Sequence, residues 1–90
     1  MLRYELVAEG RVQGVGFRFF AQYQAMQYDL TGWVKNEDDG TVSLQVQGEE
    51  ERVNRFITAL HEGDRFINVK GIKKTEIPCK AGEKNFRITY

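Results

Sequence analysis

Leu2, Tyr4, Leu6 and Ala8 alternate with Arg3, Glu5, Val7 and Glu9, the period-two pattern of a half-buried strand. Gly10, Gly14 and Gly16 then fall close together, which predicts a loop over 10–16. Between Phe17 and Tyr28 there is no Gly or Pro. Phe17, Ala21, Ala25 and Tyr28 lie on one helical stripe, and Phe19, Tyr23 and Met26 on a neighbouring one, so the segment reads as a helix with a broad apolar face. The pattern does not say which stripe is deeper. Thr31 to Asn36 predicts a second strand carrying Trp33 and Val34. Glu37-Asp38-Asp39-Gly40 predicts a turn, with Gly40 free to take positive φ. Val42, Leu44 and Val46 alternate with polar residues up to Gly48, the clearest strand of the chain. Glu49-Glu50-Glu51 suits the positive end of a second helix, whose apolar positions are Val53, Phe56, Ile57 and Leu60; Gly63 is placed to cap it. A strand follows over about Phe66 to Lys74, with a break expected at Gly71. A last strand puts Phe86, Ile88 and Tyr90 on one face.

The order is β-α-β-β-α-β with an extra C-terminal strand. This predicts an α+β fold, a ferredoxin-like sandwich with two helices on one face of a mainly antiparallel sheet. Ninety residues suffice for one core and are too few for two, so residues 1–90 are expected to be a single domain. With 13 basic and 13 acidic residues the chain lacks the basic excess by which nucleic-acid binders displace counterions. One cysteine, Cys79, excludes an internal disulfide. The N-terminus lacks the apolar stretch of a signal peptide, and no apolar run approaches the roughly 18 residues of a membrane span. A soluble cytoplasmic monomer is expected, without nucleic-acid or membrane partners.

The connectivity has a geometric consequence. A crossover helix joins parallel strands, so the ends of the first and second strands share one sheet edge. The loop leaves the first of these ends and Asn36 stands at the second. The loop's glycines let successive N–H groups point into one concavity suited to an anion, and it runs into the start of a helix, which favours negative charge. Arg18 at that junction can grip two phosphate oxygens through its planar guanidinium. The glycine spacing fits neither G-x-G-x-x-G nor a P-loop, so nucleotide binding has no support.

Gly10-Arg-Val-Gln-Gly-Val-Gly-Phe-Arg18 resembles the first signature of the acylphosphatase family. Gly32-Trp-Val-Lys-Asn36, followed by Gly40-Thr41-Val42 and Gly48, resembles the second. The resemblance covers essentially the whole chain. It implies hydrolysis of the carboxyl–phosphate bond of acyl phosphates to a carboxylate and inorganic phosphate. It assigns phosphate binding to Arg18 and water positioning to Asn36, with the amides of Gln13, Gly14, Val15, Gly16 and Phe17 completing the cradle. The chain departs from the family pattern at Asp29, where glycine is usual, and at Gly63-Asp64, where Gly-Pro is common. Aspartate tolerates a left-handed turn better than most residues.

These residues suit that reaction. A carboxylate departs without a proton, so no general acid is required, and positioning with charge stabilisation can supply most of the catalysis. Asn36 is too weak a base to take the water's proton, which leaves a phosphate oxygen of the substrate as the acceptor. No cofactor is expected, and no His/Cys/carboxylate spacing suggests a metal. His61, near the end of the second helix, is expected away from the predicted edge, where the helix dipole would favour it. Cys79 has no histidine placed beside it. The lysines at 70, 73, 74, 80 and 84 read as a solvated edge-strand face, and Trp33 as packed in or at the rim of the core. The alternative is a non-catalytic module binding phosphorylated metabolites or RNA, but the open sheet face carries no paired aromatics for stacking. A domain cut from a larger carbamoyl-transfer protein is disfavoured by the start methionine and the short C-terminus.

Overall fold

A computed structural model describes residues 1–90. Its elements are β1 (Leu2–Arg11), α1 (Phe17–Gln27), β2 (Thr31–Asn36), β3 (Val42–Gly48), α2 (Glu50–Glu62), β4 (Asn68–Ile77) and β5 (Phe86–Thr89). The sheet order is β4-β1-β3-β2-β5. β3 pairs antiparallel with both β1 and β2, so β1 and β2 run the same way, as the crossover requires. β4 is antiparallel to β1, whereas β5 is parallel to β2. The sheet is therefore mixed, and β1, β2 and β5 all end at one edge.

Both helices lie on one face. α1 packs on β2 and β5, and α2 on β4 and β3. The core between the layers takes Leu6 and Ala8 from β1, Val34 from β2, and Val42, Leu44 and Val46 from β3. Val53, Phe56 and Leu60 of α2 close it from above, with the Phe56 ring 6.0 Å from that of Phe86. Phe17, Ala21 and Ala25 form the buried stripe of α1, and Phe19, Tyr23 and Met26 are exposed. The two alanines let the α1 backbone approach the sheet closely, which leaves the bulkier stripe outside.

α1 ends at Tyr28, followed by Asp29 in the left-handed region at φ 56°. The Asp29 carboxylate is paired with Arg52 at 2.8 Å. Asp64, in the other departure from the family pattern, accepts from the N–H groups of Phe66 and Ile67 at 2.8 and 3.0 Å. Gly32 is required by packing. At φ 144° a Cβ there would lie 1.8 Å from the Gln45 carbonyl oxygen.

Several expectations need correction. β1 continues through Gly10 and Arg11, which pair with β4, so the loop is Val12–Gly16. β4 is not broken at Gly71; the irregularity is a change of register opposite Glu9 and Gly10, with β4 carrying the extra residue. β4 also begins later and ends later than the pattern suggested. Lys80 and Lys84 lie in the β4–β5 connection, not on the edge strand. Trp33 lies on the sheet face away from the helices, half-buried, because it alternates with the core residue Val34. It is the only aromatic that the strand registers place on that face. Arg3, on the same face, is fully buried. No helix is long and apolar enough to cross a membrane.

Candidate active site

The loop after β1 is held at both ends by core side chains, Val12 and Phe17. Between them Gly14 and Gly16 take left-handed conformations, φ 73° and 80°, and Gly16 is the N-cap of α1. A Cβ at either glycine would meet nothing within 4 Å, so the glycines answer to the backbone conformation and not to packing. The first backbone bond of α1 runs from Phe20 N–H to the Gly16 carbonyl at 3.0 Å. The N–H groups of Gln13, Gly14, Val15 and Gly16 donate to no protein acceptor. Phe17, Arg18 and Phe19 add the free donors of a first helical turn. The result is a run of unpaired amides at the positive end of a helix, the arrangement that suits a phosphate.

Arg18 is in the first turn of α1. Its Nη1 donates to the Thr89 carbonyl at 3.4 Å, and its guanidinium carbon lies 4.8 Å from the centre of the Tyr90 ring. The C-terminus comes to this edge because β5 is parallel to β2. Thr89 and Tyr90 thus join the site, although nothing in the sequence pattern pointed to them: that pairing joins segments 54 residues apart, Gly32 with Phe86.

Asn36 is the last residue of β2 and lies on the same face as Val34, toward the helix layer. It pairs with Val42. Its side-chain Oδ1 is shielded from solvent and has no hydrogen-bond partner. An unpaired buried acceptor is costly, and this one is open to a donor that the chain itself does not supply.

The acidic turn beside Asn36 is turned away. Glu37 follows Asn36 and faces the opposite side of the sheet, where its carboxylate accepts the Ser43 hydroxyl. Asp39 accepts from the Thr41 hydroxyl at 2.6 Å and the Thr41 N–H at 3.0 Å. These bonds, the hydroxyl's first, hold its carboxyl below the ordinary value. Neither group is aimed at the loop. Gln13 does more than contribute an N–H, because its side-chain amide reaches across to the β2–β3 hairpin.

His61 is corrected in position. α2 runs back toward the site edge, because β4, which follows it, starts opposite Arg11. The histidine side chain is exposed there. Cys79 is exposed at the opposite end, its Sγ 3.7 Å from the Met1 carbonyl. Surface hollows also lie elsewhere, one beside Met26, Leu30 and Phe86 and another on the open face by Val7, Glu9 and Lys73.

A family model described as Acylphosphatase matches residues 4–88. The chain belongs to the acylphosphatase family. A relative named Acylphosphatase from Clostridium acetobutylicum is 48% identical over 90 residues, covering 100% of this chain and 99% of its own. The crystal structure of acylphosphatase from Bacillus subtilis superposes with a TM-score of 0.95 at 43% identity, covering 100% of both chains. The fold also matches a segment of T. kodakarensis HypF, with a TM-score of 0.87 at 33% identity over 100% of this chain and 12% of that one. As an acylphosphatase-family protein the chain is an enzyme, a hydrolase whose substrate is a small-molecule acyl phosphate and whose product is inorganic phosphate.

Proposed function

We propose that the amides of residues 13–17 and the Arg18 guanidinium hold the substrate's phosphate, and that Asn36 holds the attacking water, without a metal ion. The observation that carries this reading is the convergence of unpaired groups. Four free loop N–H donors and an unpartnered, shielded Asn36 Oδ1 stand at one sheet edge with Arg18. Each element supplies what the reaction lacks in water. Donors and positive charge stabilise the equatorial phosphate oxygens as the bond to the leaving group loosens. The side-chain amide of Asn36 hydrogen-bonds the water and fixes its approach.

Water oxygen attacks phosphorus as the phosphorus–oxygen bond to the acyl group breaks. The carboxylate leaves with the electron pair, and a phosphate oxygen takes the proton from the water. Glu37 and Asp39 of the hairpin are engaged by Ser43 and Thr41, which supports a substrate oxygen as the acceptor.

Phosphate release from a simple acyl phosphate, measured with and without a chelator, tests the reading in the wild type, Arg18→Gln and Asn36→Ala. Loss of one oriented donor costs about 10²–10³ in rate, and a loss of that size is expected for each substitution. Arg18→Gln should also weaken inhibition by inorganic phosphate, which Asn36→Ala should leave nearly unchanged. Activity that survives both substitutions, or that the chelator abolishes, overturns the assignment.

A further inference from the structure

We infer that the side chain of Gln13 is a positioning residue that sets the height of the phosphate loop relative to Asn36. The inference rests on the proposed roles of the loop and of Asn36. Gln13 Nε2 has two hydrogens and donates both, to the carbonyl of Glu37 at 2.7 Å and to that of Thr41 at 2.9 Å. These two acceptors bracket the end of the β2–β3 ladder. Glu37 follows Asn36, and Thr41 precedes Val42, the register partner of Asn36. The same Thr41 carbonyl accepts the Glu37 N–H at 2.9 Å, so one amide nitrogen grips the closing bond of the hairpin from outside.

No other hydrogen bond joins residues 12–16 to the hairpin. The amides that hold phosphate and the Asn36 side chain that holds water belong to segments separated by a whole helix. β1 and β2 are not even neighbours, because β3 lies between them. Their relative placement at the edge therefore depends on this side chain together with packing of Val12 and Phe17. The geometry also divides the residue in two. The Gln13 main-chain N–H is free for the anion, and its side chain is committed to the hairpin. A side-chain substitution leaves the N–H in place and removes only the tie.

The consequence is specific. Without the tie, the loop and Arg18 still form a phosphate site, and Asn36 still stands at the end of β2, but phosphorus and water no longer meet in line. A displacement of about 1 Å between reacting groups can cost 10²-fold in rate. Substrate binding, made within the loop, should change far less.

The test is a double-mutant cycle on phosphate release, using Gln13→Met, Asn36→Ala and the double variant, with inorganic phosphate as competitive inhibitor. Gln13→Asn, whose amide is one methylene too short to reach both carbonyls, serves as a second variant should Gln13→Met unfold. The expected result is a kcat lowered by roughly 10- to 100-fold in Gln13→Met, with the phosphate inhibition constant within about 2-fold of wild type. In the Asn36→Ala background the same substitution should lower kcat by less than about 3-fold, because a group that acts through Asn36 has little left to act on. Three results overturn the inference: wild-type kcat in both Gln13 variants, an equal loss in both backgrounds, or a phosphate constant that rises in step with the fall in kcat. Full activity of Asn36→Ala alone removes the underlying role of Asn36, and the inference with it. An impaired Asn36→Ala beside two unimpaired Gln13 variants removes only the inference.

Discussion

Arg3 and Glu83 form a two-point ion pair on the sheet face away from the helices, Nη1 to Oε1 at 2.8 Å and Nη2 to Oε2 at 3.2 Å. Both side chains are almost fully buried, 2% and 6% exposed. Two further Arg3 donors are used as well, Nε on Gln45 and Nη1 on Gln47, each at 3.0 Å. Gln47 in turn accepts the Lys80 N–H at 2.7 Å and donates to the Lys80 carbonyl at 3.0 Å. This network fastens the β4–β5 connection across the sheet and so delivers β5 to its place beside β2.

Breaking the pair from one side should be expensive, because the partner charge stays buried. Arg3→Met is expected to cost about 3–5 kcal/mol in urea unfolding. Replacing both with apolar residues, Arg3→Met with Glu83→Met, should recover a large part of that loss. A single variant as stable as wild type would mean that the pair is solvated and dispensable.

The same pair makes stability depend on pH. Burial pushes the Glu83 carboxyl up, but hydrogen bonds from Arg3 and Thr31 and the charges of Arg3 and Lys80 outweigh it and hold it below the ordinary 4.5. A carboxyl lowered in the folded state stabilises the protein fully above its unfolded value, and that contribution is lost as pH falls through the folded value. Unfolding midpoints should therefore drop as pH is lowered from about 5. In Glu83→Gln the drop should be shallower; equal slopes would remove Glu83 from the account.

Gly16 and Gly32 should respond oppositely to alanine. At Gly32 the new Cβ collides with the Gln45 backbone, so Gly32→Ala should open the β2–β3 pairing and destabilise by about 3 kcal/mol or more. At Gly16 the Cβ meets open space at φ 80°, so Gly16→Ala should fold with a penalty of about 1–2 kcal/mol. Its activity should suffer more than its stability, since relaxing that φ turns the loop amides. Thermal melts beside phosphate-release assays separate the two.

Tyr90 is largely exposed, yet its ring lies beneath the Arg18 guanidinium. An exposed contact of this kind is worth about 0.5–1 kcal/mol. Tyr90→Ala should raise KM by about 2- to 5-fold with little change in kcat. A fall in kcat at constant KM would show instead that the ring acts on the chemical step.

Much of this was legible along the chain. Val42, Leu44 and Val46 announced a core strand because a pleated strand turns alternate residues to the same side. Parallel β1 and β2 followed from the crossover, and with them the meeting of the 12–16 loop and Asn36 at one edge. Less was legible where alternatives had equal periodicity. The two apolar stripes of α1 differ in burial because Ala21 and Ala25 allow close approach to the sheet, a preference set by the surface they meet. Gly10 and Arg11 looked like loop and are strand, because β4 arrives to pair with them.

Local chemistry alone determined the glycine-rich loop, the helix start with its arginine and the alternating core, since each depends on residues within a few positions of one another. The tertiary structure decided what depends on long-range partners. Arg3 is a surface residue by composition and a buried one by contact, because its acceptors lie 42 to 80 positions away. Arg18 meets Tyr90, and Gln13 meets the β2–β3 hairpin, only once the strand order has been set. A charged or amide side chain carries no periodic signal for its partner; the partner is chosen when the sheet closes around it.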